Sequence, residues 1–131
     1  MKNYWLIIGS ALLALAVILG AFGAHLLKDH LDAYGISIWE KASFYHFIHA
    51  VGLLVVGLLK ESWPGKEKIL DRTGTLLLVG ITLFSGSLYL LAVTNLKWLG
   101  AITPLGGTAF IVAWLYLTVV TLKLGNKSDT E

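Results

Sequence analysis

The chain has 131 residues, of which 56% are hydrophobic and 14% are charged, and its mean hydropathy is +0.77. This composition is too apolar for an ordinary water-soluble domain of this size. The net charge is only +2 and the basic residues are dispersed, which argues against a nucleic-acid partner, while the absence of cysteine excludes disulfides, thiolate metal sites and cysteine nucleophiles.

Four stretches without Asp, Glu, Lys or Arg follow one another at residues 3–27, 42–59, 73–96 and 98–122. Each holds between 18 and 25 residues. A helix needs about 20 apolar residues to cross a hydrocarbon core about 30 Å thick. We therefore predict a single integral membrane domain over 1–131, an all-α antiparallel bundle of four transmembrane helices. The spans are expected approximately at 4–27, 41–60, 73–95 and 103–123.

The ten basic residues divide unevenly between the two sides of such a bundle. Seven fall on one side, namely Lys2, Lys60, Lys66, Lys68, Arg72, Lys123 and Lys127. Three fall on the other side, namely Lys28, Lys41 and Lys97. Because loops rich in Lys and Arg stay in the cytoplasm, we predict a multi-pass protein of the cell (inner or plasma) membrane with both termini inside.

Turn residues mark the ends of the spans. Trp-Pro-Gly at 63–65 ends the second helix, and Thr103 followed by Pro104 predicts an N-cap and the first turn of the fourth. The connection at 28–41 is polar and amphipathic, so we expect part of it to lie in the membrane interface. Its apolar members available for this are Leu31, Tyr34, Ile38 and Trp39.

Small residues recur where helices are expected to touch. Ala16, Gly20 and Ala24 follow one another at four-residue spacing, a pattern that lets a second backbone approach closely in lipid. The residues predicted to serve helix packing are Ala16, Gly20, Gly23, Ala24, Gly86, Gly106 and Gly107.

Polar side chains within the spans concentrate in the predicted outer half of the membrane. Ser43, His46 and His49 recur every three residues and Ser85 lies four residues before Tyr89, so each set shares one face of its helix. A buried polar group without a partner costs about 1 to 3 kcal/mol, so these side chains are expected to converge inside the bundle. The candidate binding residues are His25, His46, His49, Ser43, Ser85, Ser87, Tyr89 and Thr103.

Several roles are open to this cluster. It can hold helices together, with an average gain of about 0.6 kcal/mol per contact, or it can mark a ligand or proton path. A metal site, if any, would use His25, His46 and His49, but this spacing without a carboxylate is a weak signal and no cofactor is predicted. An enzyme would need a carboxylate from the outer loop, such as Asp29 or Glu40, because no nucleophile elbow is present.

Four motifs in order carry a resemblance to a known family. They are GAFGAHLL at 20–27, YHFIHAVGLL at 45–54, FSGSLYLLAV at 84–93 and ITPLGG at 102–107, with Trp114 downstream. The chain resembles the small membrane proteins called domain of unknown function 423, which are similar to the eukaryotic transmembrane protein 256 group. The resemblance implies a four-span protein of the inner or plasma membrane without an established activity. The motif positions are Gly20, Gly23, His25, Tyr45, His46, His49, Ser85, Gly86, Ser87, Tyr89, Pro104, Gly106 and Gly107.

Our functional hypothesis is non-enzymatic. The outward-facing His/Ser/Tyr cluster is predicted to bind, or let pass, a small molecule, a lipid headgroup or an ion. The alternative is a structural or assembly protein in which the cluster only fixes helix packing. Besides the lipid bilayer, a second copy of the chain docked along the glycine-rich faces stays open as a partner.

Overall fold

The computed structural model describes residues 3–128, and the side chains of residues 3–124. Four long helices make up this part of the chain, and it contains no strand. They are α1 (Tyr4–Leu27), α2 (Ala33–Ser62), α3 (Glu67–Thr94) and α4 (Thr103–Ser128). The predicted all-α bundle is confirmed, and each helix is long and apolar enough to cross a membrane.

Two helices contain a single π-helical segment, and a short 3₁₀ helix precedes α4. The π segments are Gly23–Leu27 in α1 and Ile81–Ser85 in α3, and the 3₁₀ helix is Lys97–Ala101. Such widened turns are frequent at functional sites. The first forms the end of α1, and the second, near the middle of α3, includes Ser85 of the predicted polar cluster.

The second helix begins earlier than the predicted span. Asp32 caps it, because its carboxylate accepts a hydrogen bond of 2.7 Å from the backbone N–H of Gly35. The segment after Ala33 is therefore helical, and at 30 residues α2 is longer than a hydrocarbon core requires. Ile38 and Trp39 are buried rather than spread on the membrane interface, whereas Tyr34 is exposed.

The helices pack in chain order, α1 on α2, α2 on α3 and α3 on α4. The helix termini form two opposite ends of the bundle, which we name after residues that lie toward each. The histidine end is formed by the helix termini Leu27, Ala33, Thr94 and Thr103, and the Asp71 end by Tyr4, Ser62, Glu67 and Ser128. α1 lies at the edge of the bundle and contributes few buried side chains.

The ends differ in charge. Lys28, Lys41 and Lys97 belong to the histidine end, whereas the Asp71 end carries Lys60, Lys66, Lys68, Arg72 and Lys123. Lys2 and the side chain of Lys127 lie outside the described residues. Which end faces the cytoplasm stays a prediction.

The predicted packing residues have different surroundings. A Cβ atom on Gly106 would collide with the Phe84 backbone, and one on Gly23 with the Trp39 indole, so glycine is required at both contacts. At Gly107 it would meet the Phe84 ring at an ordinary 3.7 Å, and at Gly20 and Gly86 it would meet nothing within 4 Å. In the small-residue ridge of α1, Ala16 is buried and Ala24 is exposed.

Candidate binding site

A chain of three polar side chains connects α2 with α3 at the histidine end. His46 Nδ1 lies 3.0 Å from the Tyr89 hydroxyl, and that hydroxyl lies 3.4 Å from Ser43 Oγ. Trp39 packs its edge against the Tyr89 ring at a centroid distance of 4.7 Å. The structure therefore brings together three of the predicted residues in the order Ser43, Tyr89, His46.

His46 has a nitrogen without a hydrogen-bond partner. Its side chain is 2% exposed, and within the described residues Nε2 makes no hydrogen bond. The Leu12 carbonyl is its neighbour on α1, outside the geometry of a hydrogen bond. If Nδ1 carries the proton and donates to Tyr89, Nε2 is a buried acceptor without a donor. If Tyr89 donates to Nδ1 instead, Nε2–H is a buried donor beside the Leu12 carbonyl.

His49 has a different environment from His46, although only three residues separate them. Its Nδ1 lies 2.7 Å from the Tyr45 carbonyl of the same helix. The imidazole stacks on Phe110 of α4 at a centroid distance of 3.5 Å and on the Tyr45 ring at 5.9 Å. His49 is thus part of an aromatic stack between α2 and α4 and does not join the Ser43–Tyr89–His46 chain.

The remaining hydroxyls hold helices together. Ser85 is fully buried and donates a 2.8 Å hydrogen bond to the Ala42 carbonyl, which ties α3 to α2. Ser87 and Thr103 pair at 2.7 Å and connect α3 with the start of α4. These three predicted residues occupy interhelical contacts, as expected for hydroxyls within a membrane bundle.

His25 stands apart from the other histidines. Its side chain is exposed in the π-helical end of α1. Within residues 3–124, no three His, Asp or Glu side chains converge as metal ligands, so His25, His46 and His49 do not form one site. Nor does Asp29 or Glu40 hydrogen bond to His46 or His49 in that part of the chain.

A cavity of about 480 Å³ opens between the end of α1 and the start of α2. This volume falls within the range of small-molecule sites. Its walls are formed by Gly20, Gly23, Ala24, Lys28, Leu31, Ile36, Trp39, Glu40 and Ser43. Through Ser43, the cavity wall is continuous with the hydrogen-bonded chain that ends at His46.

One residue that shapes this cavity, Trp39, was assigned another role from sequence. Trp39 was expected at the interface, but its indole N–H donates a 2.9 Å hydrogen bond to the Leu19 carbonyl of α1. That contact requires the missing side chain of Gly23, against which the indole lies. The helix N-cap signal at Asp32 indicates that Trp39 belongs to a helix, but only packing shows that it faces α1.

These features define a small membrane-spanning protein with four antiparallel helices and a largely apolar cavity whose wall is linked through Ser43 and Tyr89 to the buried His46. The chain belongs to the protein family described as protein of unknown function (DUF423), whose model matches residues 19–107. The matched segment contains every candidate binding residue.

Related proteins carry the name membrane protein. The chain is 49% identical to a UPF0382 membrane protein of Staphylococcus epidermidis, over 91% of this chain and 95% of the relative. It is 44% identical to the UPF0382 membrane protein YwdK of Bacillus subtilis, over 91% of this chain and 96% of the relative. No solved structure matches the chain. The protein is therefore an integral membrane protein.

Proposed function

We propose that this protein binds a small amphipathic molecule, without chemical conversion, in the cavity between α1 and α2. One observation supports this most strongly. The cavity wall includes Ser43, which begins a hydrogen-bonded chain that ends at the unsatisfied Nε2 of buried His46. An unpaired buried polar atom costs about 1 to 3 kcal/mol, and polar groups retained at membrane depth commonly mark ligand paths.

The lining indicates the chemistry of the ligand. Lys28 and Glu40 both line the cavity, and they form no ion pair with each other. The other walls are mainly apolar, with Leu31, Ile36 and the Trp39 ring. A zwitterionic headgroup with an attached apolar chain complements both the two opposite charges and the apolar walls.

Binding is better supported than passage across the membrane. Between the cavity and the Asp71 end, the centre of the bundle is filled by buried Leu53, Val56, Leu70 and Leu77. A pore needs polar groups or water along its length. We therefore assign the cavity a binding role on one side of the membrane.

Filling the cavity tests the proposal. Gly20 lines the cavity and has open space around it, so Gly20→Trp is expected to occupy the cavity without disturbing the helices. Gly86→Trp is the matched control, because Gly86 also has open space but does not line the cavity. The probe is lysophosphatidylethanolamine, added to purified protein in mild detergent and counted as retained adduct by native mass spectrometry.

The expected result is retention by the wild type and by Gly86→Trp, with a loss of about tenfold or more in Gly20→Trp. Equal retention by all three proteins would contradict the proposal. Ser43→Ala, which alters the polar wall with little change in volume, is expected to weaken retention in the same assay.

A scaffold role is the second candidate, because Ser85 donates across the helix interface to Ala42. If the polar cluster only fixes packing, His46→Gln and His49→Gln lower thermal stability and leave probe retention unchanged. If the cavity binds the probe, His46→Gln folds and alters retention, while His49→Gln, in the aromatic stack, does not.

We also propose that the histidine end faces outward in the cell membrane, with both termini in the cytoplasm. The support is the excess of basic residues at the Asp71 end. Because the chain has no cysteine, single substitutions report orientation without background. Lys97→Cys should react with a membrane-impermeant maleimide in intact cells, whereas Lys66→Cys should react only after lysis. The reverse labelling pattern would show that the histidine end faces the cytoplasm.

A further inference from the structure

A second cavity, of about 860 Å³, opens between α3 and α4 at the Asp71 end. No predicted site residue lines it. Its rim carries Glu67, Lys68, Asp71 and Arg72, and its wall toward the membrane centre consists of Thr75, Leu76, Val112 and Tyr116. The cavity is thus charged at the end of the helices and largely apolar within the span.

The two carboxylates of the rim are already engaged. Asp71 Oδ1 accepts a 2.5 Å hydrogen bond from Lys60 and a 2.8 Å hydrogen bond from the Trp5 indole. Glu67 accepts a 2.9 Å hydrogen bond from the backbone N–H of Gly65. Their charge is therefore partly compensated from outside the cavity.

The two cations of the rim are not compensated in this way. Lys68 and Arg72 are four residues apart, so they share one face of α3. Among the described side chains, the only ion pair joins Lys60 to Asp71, so neither Lys68 nor Arg72 has one. Arginine binds phosphate through two parallel N–H donors, and lysine adds a second positive charge.

We propose that this groove, the α3/α4 groove, binds one anionic phospholipid, with its phosphate at Lys68 and Arg72 and an acyl chain along Leu76, Val112 and Tyr116. Charge complementarity selects the phosphate, and the apolar wall below selects a lipid over a soluble anion. Basic pockets between transmembrane helices bind anionic headgroups in this manner. The site is separate from the α1/α2 cavity and does not depend on its function.

The test compares lipids that differ only in headgroup. Full-length protein in mild detergent is incubated with 16:0–18:1 phosphatidylglycerol or with phosphatidylcholine of the same chains, and retained lipid is counted by native mass spectrometry. The wild type should retain phosphatidylglycerol in preference. In Lys68→Ala/Arg72→Ala this preference should fall by about tenfold or more, since each cation contributes roughly a fivefold factor.

The matched control is Lys41→Ala/Lys97→Ala, which removes the same charge from the opposite end and should keep the preference. Equal retention of the two lipids by the wild type, or an unchanged preference in Lys68→Ala/Arg72→Ala, would overturn the proposal. Glycerol phosphate retained as well as phosphatidylglycerol would also overturn it, in favour of a soluble phosphate ligand.

A variant in the apolar wall keeps the test decisive if the double variant fails to fold. Val112→Trp narrows the groove without changing charge and should reduce phosphatidylglycerol retention, whereas Leu115→Trp, on the exposed side of α4, should not. Circular dichroism and size-exclusion chromatography establish that each variant is folded. Equal retention by both tryptophan variants would exclude the groove as the lipid site.

Discussion

The buried and half-buried polar groups at the two ends of the bundle differ in how completely they are hydrogen bonded. At the Asp71 end, Asp71 is held by both Trp5 and Lys60, so one carboxylate joins α1, α2 and α3. At the histidine end, His46 shares one hydrogen bond with Tyr89 and leaves its second nitrogen unpaired within the described residues. Polar contacts hold helices together at both ends, through Asp71 at one and through Ser85, Ser87 and Thr103 at the other, but among the side chains that the structure describes only the histidine end has an unpaired nitrogen linked by hydrogen bonds to a cavity wall.

This difference separates stability from binding. Asn3 at the Asp71 end also has a buried amide oxygen without a partner, but its nitrogen donates to the Gly57 carbonyl and to Glu61. In His46 the unpaired atom ends a chain that reaches the cavity through Tyr89. Substitutions at packing contacts should therefore change the stability of the protein at either end. Substitutions in the hydrogen-bonded Ser43–Tyr89–His46 chain should change ligand retention.

The largest loss of stability is expected from Gly106→Ala at the histidine end. The added Cβ collides with the Phe84 backbone, which cannot move aside as a flexible side chain can. We expect a loss of about 1 to 3 kcal/mol in unfolding by sodium dodecyl sulfate. Gly107→Ala, where the Cβ contact is 3.7 Å, serves as the control and should change little. Equal effects would mean that α3 and α4 do not meet at Gly106.

At the Asp71 end, Asp71→Ala should cost about 1 kcal/mol. It removes the acceptor of Trp5 and Lys60, but the pair is partly exposed, so solvent screening limits the loss. The same unfolding assay measures it, with Asp29→Ala at an exposed position of the other end as the control. If Asp71→Ala were as stable to unfolding as the wild type, the Asp71 contacts would not hold the helices together, and the proposed difference between the two ends would be wrong.

A smaller effect is expected from Ser85→Ala, which deletes the hydrogen bond to the Ala42 carbonyl. Hydrogen bonds between membrane helices average about 0.6 kcal/mol, and Ser62→Ala, whose exposed hydroxyl donates within its own helix, should cost less. Thermal melting in detergent measures the difference in stability between these two variants. A loss above about 2 kcal/mol for Ser85→Ala would make the histidine end as dependent on polar contacts as the Asp71 end.

The smallest effect on stability is expected from His46→Leu. The lost contact with Tyr89 is offset because an unsatisfied buried nitrogen is removed at the same time. The melting temperature should stay close to the wild-type value while retention of lysophosphatidylethanolamine falls. A large drop in melting temperature with unchanged retention would assign His46 to the scaffold.

Part of the candidate site could be predicted from sequence. Three-residue spacing places Ser43 and His46 on one face of α2, and the cost of desolvation predicts that such a face turns inward. His46 is buried and Ser43 is half-buried. The same spacing includes His49, which stacks on Phe110 instead. Periodicity defines a broad face but not the neighbour that each side chain meets, so the division between the two histidines was not predictable.

Four apolar helices, the separation of charges between the two ends and the concentration of polar groups near one of them could all be predicted without coordinates. These properties follow from hydropathy and spacing along the chain, which act locally. The contact of His46 with Tyr89, the exposure of His25 and the cavity beside Ser43 became visible only once the helices were packed together. Those outcomes depend on the rotation of each helix about its axis, which close contacts such as Gly23 on Trp39 fix.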